Sequence, residues 1–86
     1  MTMIWKFSLD APGPVIAVMM PEGARVLSVQ MQAGRPQMWA AVNTEAPEVT
    51  RLFRVVGTGM QLPAVSDYIG TIQSPPFVWH VFECAP

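Results

Sequence analysis

Cysteine and histidine are nearly absent: Cys84 and His80 are the single examples of each. One thiol forms no intrachain disulfide, and one cysteine with one histidine cannot close a four-ligand structural zinc site within a single chain. Charge is also scarce, at 13% of the residues against roughly 25% for an average domain. No apolar run reaches the roughly 18 residues that a membrane-spanning helix needs. The first residues show no basic stretch leading into an apolar core, so the expectation is a cytoplasmic protein without a secretion signal or a membrane partner. The five basic residues, Lys6, Arg25, Arg35, Arg51 and Arg54, are scattered along the sequence. Phosphate-backbone binding depends on several cations acting together, which weighs against a nucleic-acid partner.

What is present is punctuation and apolar alternation. Nine prolines and six glycines cut the 86 residues into short pieces, which excludes long helices. That length implies one small domain, residues 1–86, with a modest core and a stability of a few kcal/mol. Without disulfides or structural metal, self-association is the remaining supplement. A surface poor in charge fits one that a partner partly covers.

The pieces read as strands. In "MIWKFSL", Trp5, Phe7 and Leu9 alternate with Lys6 and Ser8, the period of a half-buried strand. "DAPGP" is turn chemistry. "VIAVMM" is apolar on both faces and fits a buried strand ended by Pro21-Glu22-Gly23. "ARVLSVQMQ" places Leu27, Val29 and Met31 inward, with Ser28, Gln30 and Gln32 outward. "AGRP" then reads as a tight hairpin turn into "QMWAAVN". "TEAPEVT" reads as a polar loop. "RLFRVVG" is a strand with Phe53 and Val55 on one face and Leu52, Arg54 and Val56 on the other. From Met60 to Gly70 the β signal weakens, and Pro63 fits the start of a single helical turn. "TIQS" is a short extended piece, and after Pro75-Pro76 "FVWHVFE" closes as a strand. Six or seven short strands at this spacing predict an all-β fold: a small antiparallel β-sandwich or partly open barrel, with at most one short helical turn.

The stretch "VVGTGM" resembles the opening of a phosphate-binding loop, but position 62 is leucine where a dinucleotide fingerprint needs its third glycine. No helical period follows Gly59 to present a dipole to an anion, so the glycine pair reads as a turn out of a strand. His80 and Cys84 sit on one strand at a separation of about 13 Å, too far for a nucleophile and its base. Nothing in the sequence pairs two carboxylates. The expectation is a protein that is not an enzyme, with no catalytic residues, no metal and no cofactor. Three tryptophans are many for this length, and two are expected to fill the core against Phe7 and Phe53. Trp39 shares its strand face with Gln37 and Ala41, opposite the apolar Met38, Ala40 and Val42, which makes its indole a candidate for exposure, with core packing as the alternative.

Taken together, "MIWKF", "MPEGARVLSVQMQAGRPQMWAAV", "RLFRVVGTG", "YIGTIQ" and "FVWHVFE" resemble a family of short uncharacterised proteins encoded by phages and prophages. The resemblance spans nearly the whole chain and rests most on "PEGARVLSVQ", the Gly57-Thr58-Gly59 turn and "HVFE". Relatives commonly carry histidine directly after Gly-Thr-Gly, where this chain has Met60, so a chemical role for that histidine would not extend to this chain. The resemblance implies a setting: a small accessory protein that binds an unidentified host protein, including components of antiviral defence such as CRISPR complexes. The partner contacts expected on this reading are Trp39, Met19, Met20 and Arg35. The alternative is a homo-oligomer that binds a small anionic ligand, such as a signalling nucleotide, at its subunit interface through Arg51, Arg54 and Thr58. A purely structural subunit is a third reading.

Overall fold

Period-two alternation gives each strand one apolar side, and two such sheets bury those sides against each other. The strands are β1 (Thr2–Ser8), β2 (Ile16–Pro21), β3 (Arg25–Gln32), β4 (Arg35–Asn43), β5 (Glu48–Gly57), β6 (Asp67–Ser74) and β7 (Phe77–Glu83). The computed structural model describes residues 1–65 and 67–85, and among them there is no helix. All pairings are antiparallel, in one sheet of order β1-β4-β3 and another of order β2-β5-β7-β6. The fold is thus an all-β, two-sheet sandwich and not a closed barrel. Phe53, Leu9, Met20, Met38, Ile72, Val42 and Val81 are the largest fully buried side chains between the sheets. Trp5, Phe7 and Trp79 pack partly buried against them.

The predicted hairpin forms, with Ala33 and Gly34 both at positive φ (53° and 76°). A two-residue turn of that kind matches the right-handed twist of the strands it joins. Its first strand, however, carries a bulge that the alternation hid. Val26 pairs with Ala40 and Ser28 with Trp39, which leaves Leu27 as the extra residue. Val26 therefore faces the core, and Leu27, expected inward, is 47% exposed. The bulge switches the parity of everything before it, including Arg25.

Three other expectations are corrected. β2 is an edge strand in which Ile16, Val18 and Met20 are buried together with the closing Pro21, while Ala17 and Met19 face outward. The polar stretch "TEAPEVT" is a loop only in its first part, because Glu48, Val49 and Thr50 pair with Pro21, Met20 and Met19 as the start of β5. Helical turn is absent over residues 63–65, and β6 begins at Asp67, four residues before "TIQS". Ser66, which the expected helical turn included, lies outside the described residues.

Gly57-Thr58-Gly59 is a turn. The Met60 amide donates to the Gly57 carbonyl (3.1 Å), and Gly59 takes φ 90° at the third turn position. Gly57 has a separate reason to be glycine: a Cβ there would stand 2.9 Å from the Trp79 ring and 3.0 Å from the Met60 sulfur. The two sheets also approach most closely where β3 runs beside β6. A Cβ on Gly70 would meet a Val29 methyl at 2.7 Å, so glycine is what permits that approach.

Candidate functional site

The register places a mixed surface on the outer face of β1-β4-β3. Ladder partners project to the same side, so Lys6, Trp39 and Ser28 form one row, and Ile4, Ala41 and Arg25 form the next. Gln37 and Gln30 follow in the other direction, and Arg35 pairs with Gln32 at the hairpin end. Trp39 is half-buried among these neighbours, less open than its sequence environment implied, and Ile4 is 64% exposed. The Lys6 ammonium donates to Gln32 Oε1 at 2.8 Å, a neutral acceptor. Arg35 bonds Asp10 through one guanidinium nitrogen. Three of the five basic residues therefore lie on this face, with Asp10 the carboxylate that meets one of them.

The outer face of the larger sheet carries a different set. Val56, His80 and Thr71 form a row, beside the row of Arg54, Phe82 and Tyr68. His80 lies between two hydroxyls, with Thr58 Oγ1 2.8 Å from Nε2 and Thr71 Oγ1 3.2 Å from Nδ1. Tyr68 continues this chain by bonding Thr71, and its ring meets Phe82 edge-on at 5.7 Å between centroids. In the neutral imidazole one nitrogen donates and the other accepts, and hydroxyls can answer either role. Met60, Gln61 and Pro63 line a cleft of about 300 Å³ together with Arg54, Val56 and Pro14.

Arg51 belongs to neither outer face. It shares the parity of Phe53, and its guanidinium carbon lies 5.9 Å from the Phe53 ring centroid. Two parallel bonds of 2.7 Å join its Nε and Nη2 to the Glu83 carboxylate, and Nη1 donates to the Ala24 carbonyl. The hydrogen bond to Glu83 raises the Arg51 pKa above its ordinary value. Burial opposes that shift, and attraction to the Glu83 charge reinforces it.

The structure thus separates residues that the sequence grouped. Met20 is 0% exposed in the core and cannot touch a partner in the folded chain, which corrects its place among the contacts. Met19 is 52% exposed, but it projects from β2 on the outer face of the other sheet, away from Trp39. Arg35 does share a face with Trp39. Of the three expected anion contacts, Arg54 and Thr58 lie on one face, and Arg51 faces the other way with its fork already occupied. Lys6 and Arg25 join the Trp39 surface unanticipated. Lys6 was legible as an outward residue of its strand, but Arg25 was masked by the bulge at Leu27. The hydroxyl partners of His80 come from two other strands, and nothing in its own strand announces them. Among the described residues, no group of three His, Cys, Asp or Glu side chains stands close enough to hold a metal.

Fold and surfaces define a small antiparallel β-sandwich with two unlike outer faces. The chain belongs to the family described as Domain of unknown function (DUF7352), whose profile matches residues 1–86. No curated protein and no solved structure matches it.

Proposed function

We propose that this chain is a non-enzymatic binding protein whose working surface is the outer face of β1-β4-β3. The supporting observation is Trp39, held half-covered in the middle of that face between Lys6 and Ser28, with Ile4 open beside it. A tryptophan so placed offers a large rigid apolar contact inside a polar rim, the arrangement of an interface hot spot. The setting we propose is that of a phage or prophage accessory protein in the host cytoplasm, acting on a host protein such as a component of a defence system, a CRISPR complex included. The sequence resemblance supports that setting. Affinity capture from host lysate tests the site. A stoichiometric partner is expected with the parent chain and with Met19→Ala, and it is expected to be lost with Trp39→Ala. Retention by Trp39→Ala would remove this surface from the reading.

A second reading is a homo-oligomer that takes a small anionic ligand. It is favoured by Arg54, Thr58 and His80 sharing the outer face of the larger sheet, with Phe82 and Tyr68 available to a flat ring. Calorimetry against a panel of nucleotides should then show heat that Arg54→Gln abolishes. No heat from any member would eliminate it.

A further inference from the structure

The charges of this chain are sorted by face, although the sequence scatters them. On the outer face of β1-β4-β3 stand Lys6, Arg25 and Arg35 against Asp10, three cations and one carboxylate, a net charge of +2. The rest of the chain holds Arg51 and Arg54 against Glu22, Glu45, Glu48, Asp67 and Glu83, a net charge of −3. Arg51 and Glu83 neutralise each other at 2.7 Å. A net charge of −1 therefore conceals a positive face on an otherwise negative molecule.

From this separation, and resting on the binding role proposed above, we infer that the outer face of β1-β4-β3 docks an acidic protein surface. Lys6 and Arg25 flank Trp39 from the two edge strands, so carboxylates on a partner would straddle the indole on both sides. Neither cation makes an ion pair among the described residues, so neither must break one to bind. Nucleic acid is the weaker fit. Three separated cations neutralise few phosphates, and one half-covered tryptophan gives a single stacking platform where single-strand binders present several.

Size bears on affinity. Three strands about 4.8 Å apart and about eight residues long make a face on the order of 400 Å², about half of what each partner contributes to a standard interface. Complementary charge on so small a face acts chiefly on the encounter rate and is strongly screened by salt. The partner's footprint must extend beyond this face, and Leu27, pushed outward by the bulge two residues from Arg25, adds an exposed apolar group along that edge strand.

The test is a titration of the isotope-labelled chain, followed by amide and indole NMR shifts. The probes are a glutamate-rich peptide of about 20 residues containing two leucines, a lysine-rich peptide of the same length, and single-stranded oligothymidine. The acidic peptide should shift Lys6, Arg25, Ser28 and the Trp39 indole. Its affinity should fall at least tenfold between about 50 and about 300 mM salt. Lys6→Glu/Arg25→Glu should abolish the shifts while the circular dichroism spectrum stays that of the parent. Tighter binding of oligothymidine, equal response to the lysine peptide, or no shift on this face would each overturn the inference. The lysate capture separates the two claims. A partner lost by Trp39→Ala but kept by Lys6→Glu/Arg25→Glu would leave the binding surface standing and sink the acidic partner alone. A partner kept by both variants would sink both.

Discussion

Among the described residues, Ala33 is the one non-glycine whose backbone takes a positive φ. It sits at φ 53°, where an L side chain crowds the following carbonyl, a cost of roughly 1–2 kcal/mol that glycine or asparagine largely avoids. Replacing it with asparagine gives the Asn-Gly pair that this hairpin geometry favours. Ala33→Asn is expected to raise stability by about 0.5–1 kcal/mol, read from a urea midpoint that rises at unchanged slope. An unchanged or lower midpoint would mean that the turn is not the strained element. Gly57 and Gly59 show that one residue type can serve two ends within three positions. Gly59 supplies positive φ, and Gly57 makes room for the Trp79 ring and the Met60 sulfur.

At the level of elements, the Arg51–Glu83 pair ties the outer end of β5 to the end of β7, and the bond to the Ala24 carbonyl extends the tie to the β2–β3 turn. Both side chains are about four-fifths covered, at 20% and 19% exposure, so solvent screens them less than a surface pair. Arg51→Met leaves the Glu83 carboxylate partly buried without its fork, and is expected to cost about 1–2 kcal/mol. The sign with pH follows from the raised Arg51 pKa. A cation held above its unfolded value contributes fully at every pH below that value, and loses the contribution only as pH rises through the folded one. That window lies beyond the alkaline end of ordinary experiments. Arg51 titration should therefore add no slope to stability between about pH 6 and about pH 9, and a difference between Arg51→Met and the parent that shrinks over that range would contradict it.

For the whole molecule, one small core between the two sheets carries most of the stabilisation. Phe53 is fully buried at the centre of that core. Its truncation costs about 3–5 kcal/mol, close to the total stability of a domain this size. Phe53→Ala is expected to unfold most of the population at 37 °C, whereas Trp39→Ala, on an outer face, should retain the parent fold with a loss of about 1 kcal/mol. Thermal denaturation of the two variants makes the comparison. Similar collapse in both would place Trp39 in the core's support and not at a contact surface.

Alternation and punctuation were enough to specify the all-β class, the hairpin around Ala33-Gly34, the inward set Trp5, Phe7, Leu9, Met38, Ala40 and Val42, and the reading of Gly57-Thr58-Gly59 as a turn. These are local consequences of side-chain period and backbone freedom. Ladder partners and sheet order were beyond that reach, because they depend on residues dozens of positions apart. The bulge at Leu27 turned Arg25 outward, the pairing of β2 with β5 converted half of a polar loop into strand, and packing against the β1-β4-β3 sheet buried Met20 while leaving Met19 exposed. The sequence by itself determined which residues alternate. Only tertiary structure decided which cations share a face with Trp39, because a surface is assembled from strands that are neighbours in space and not in the chain.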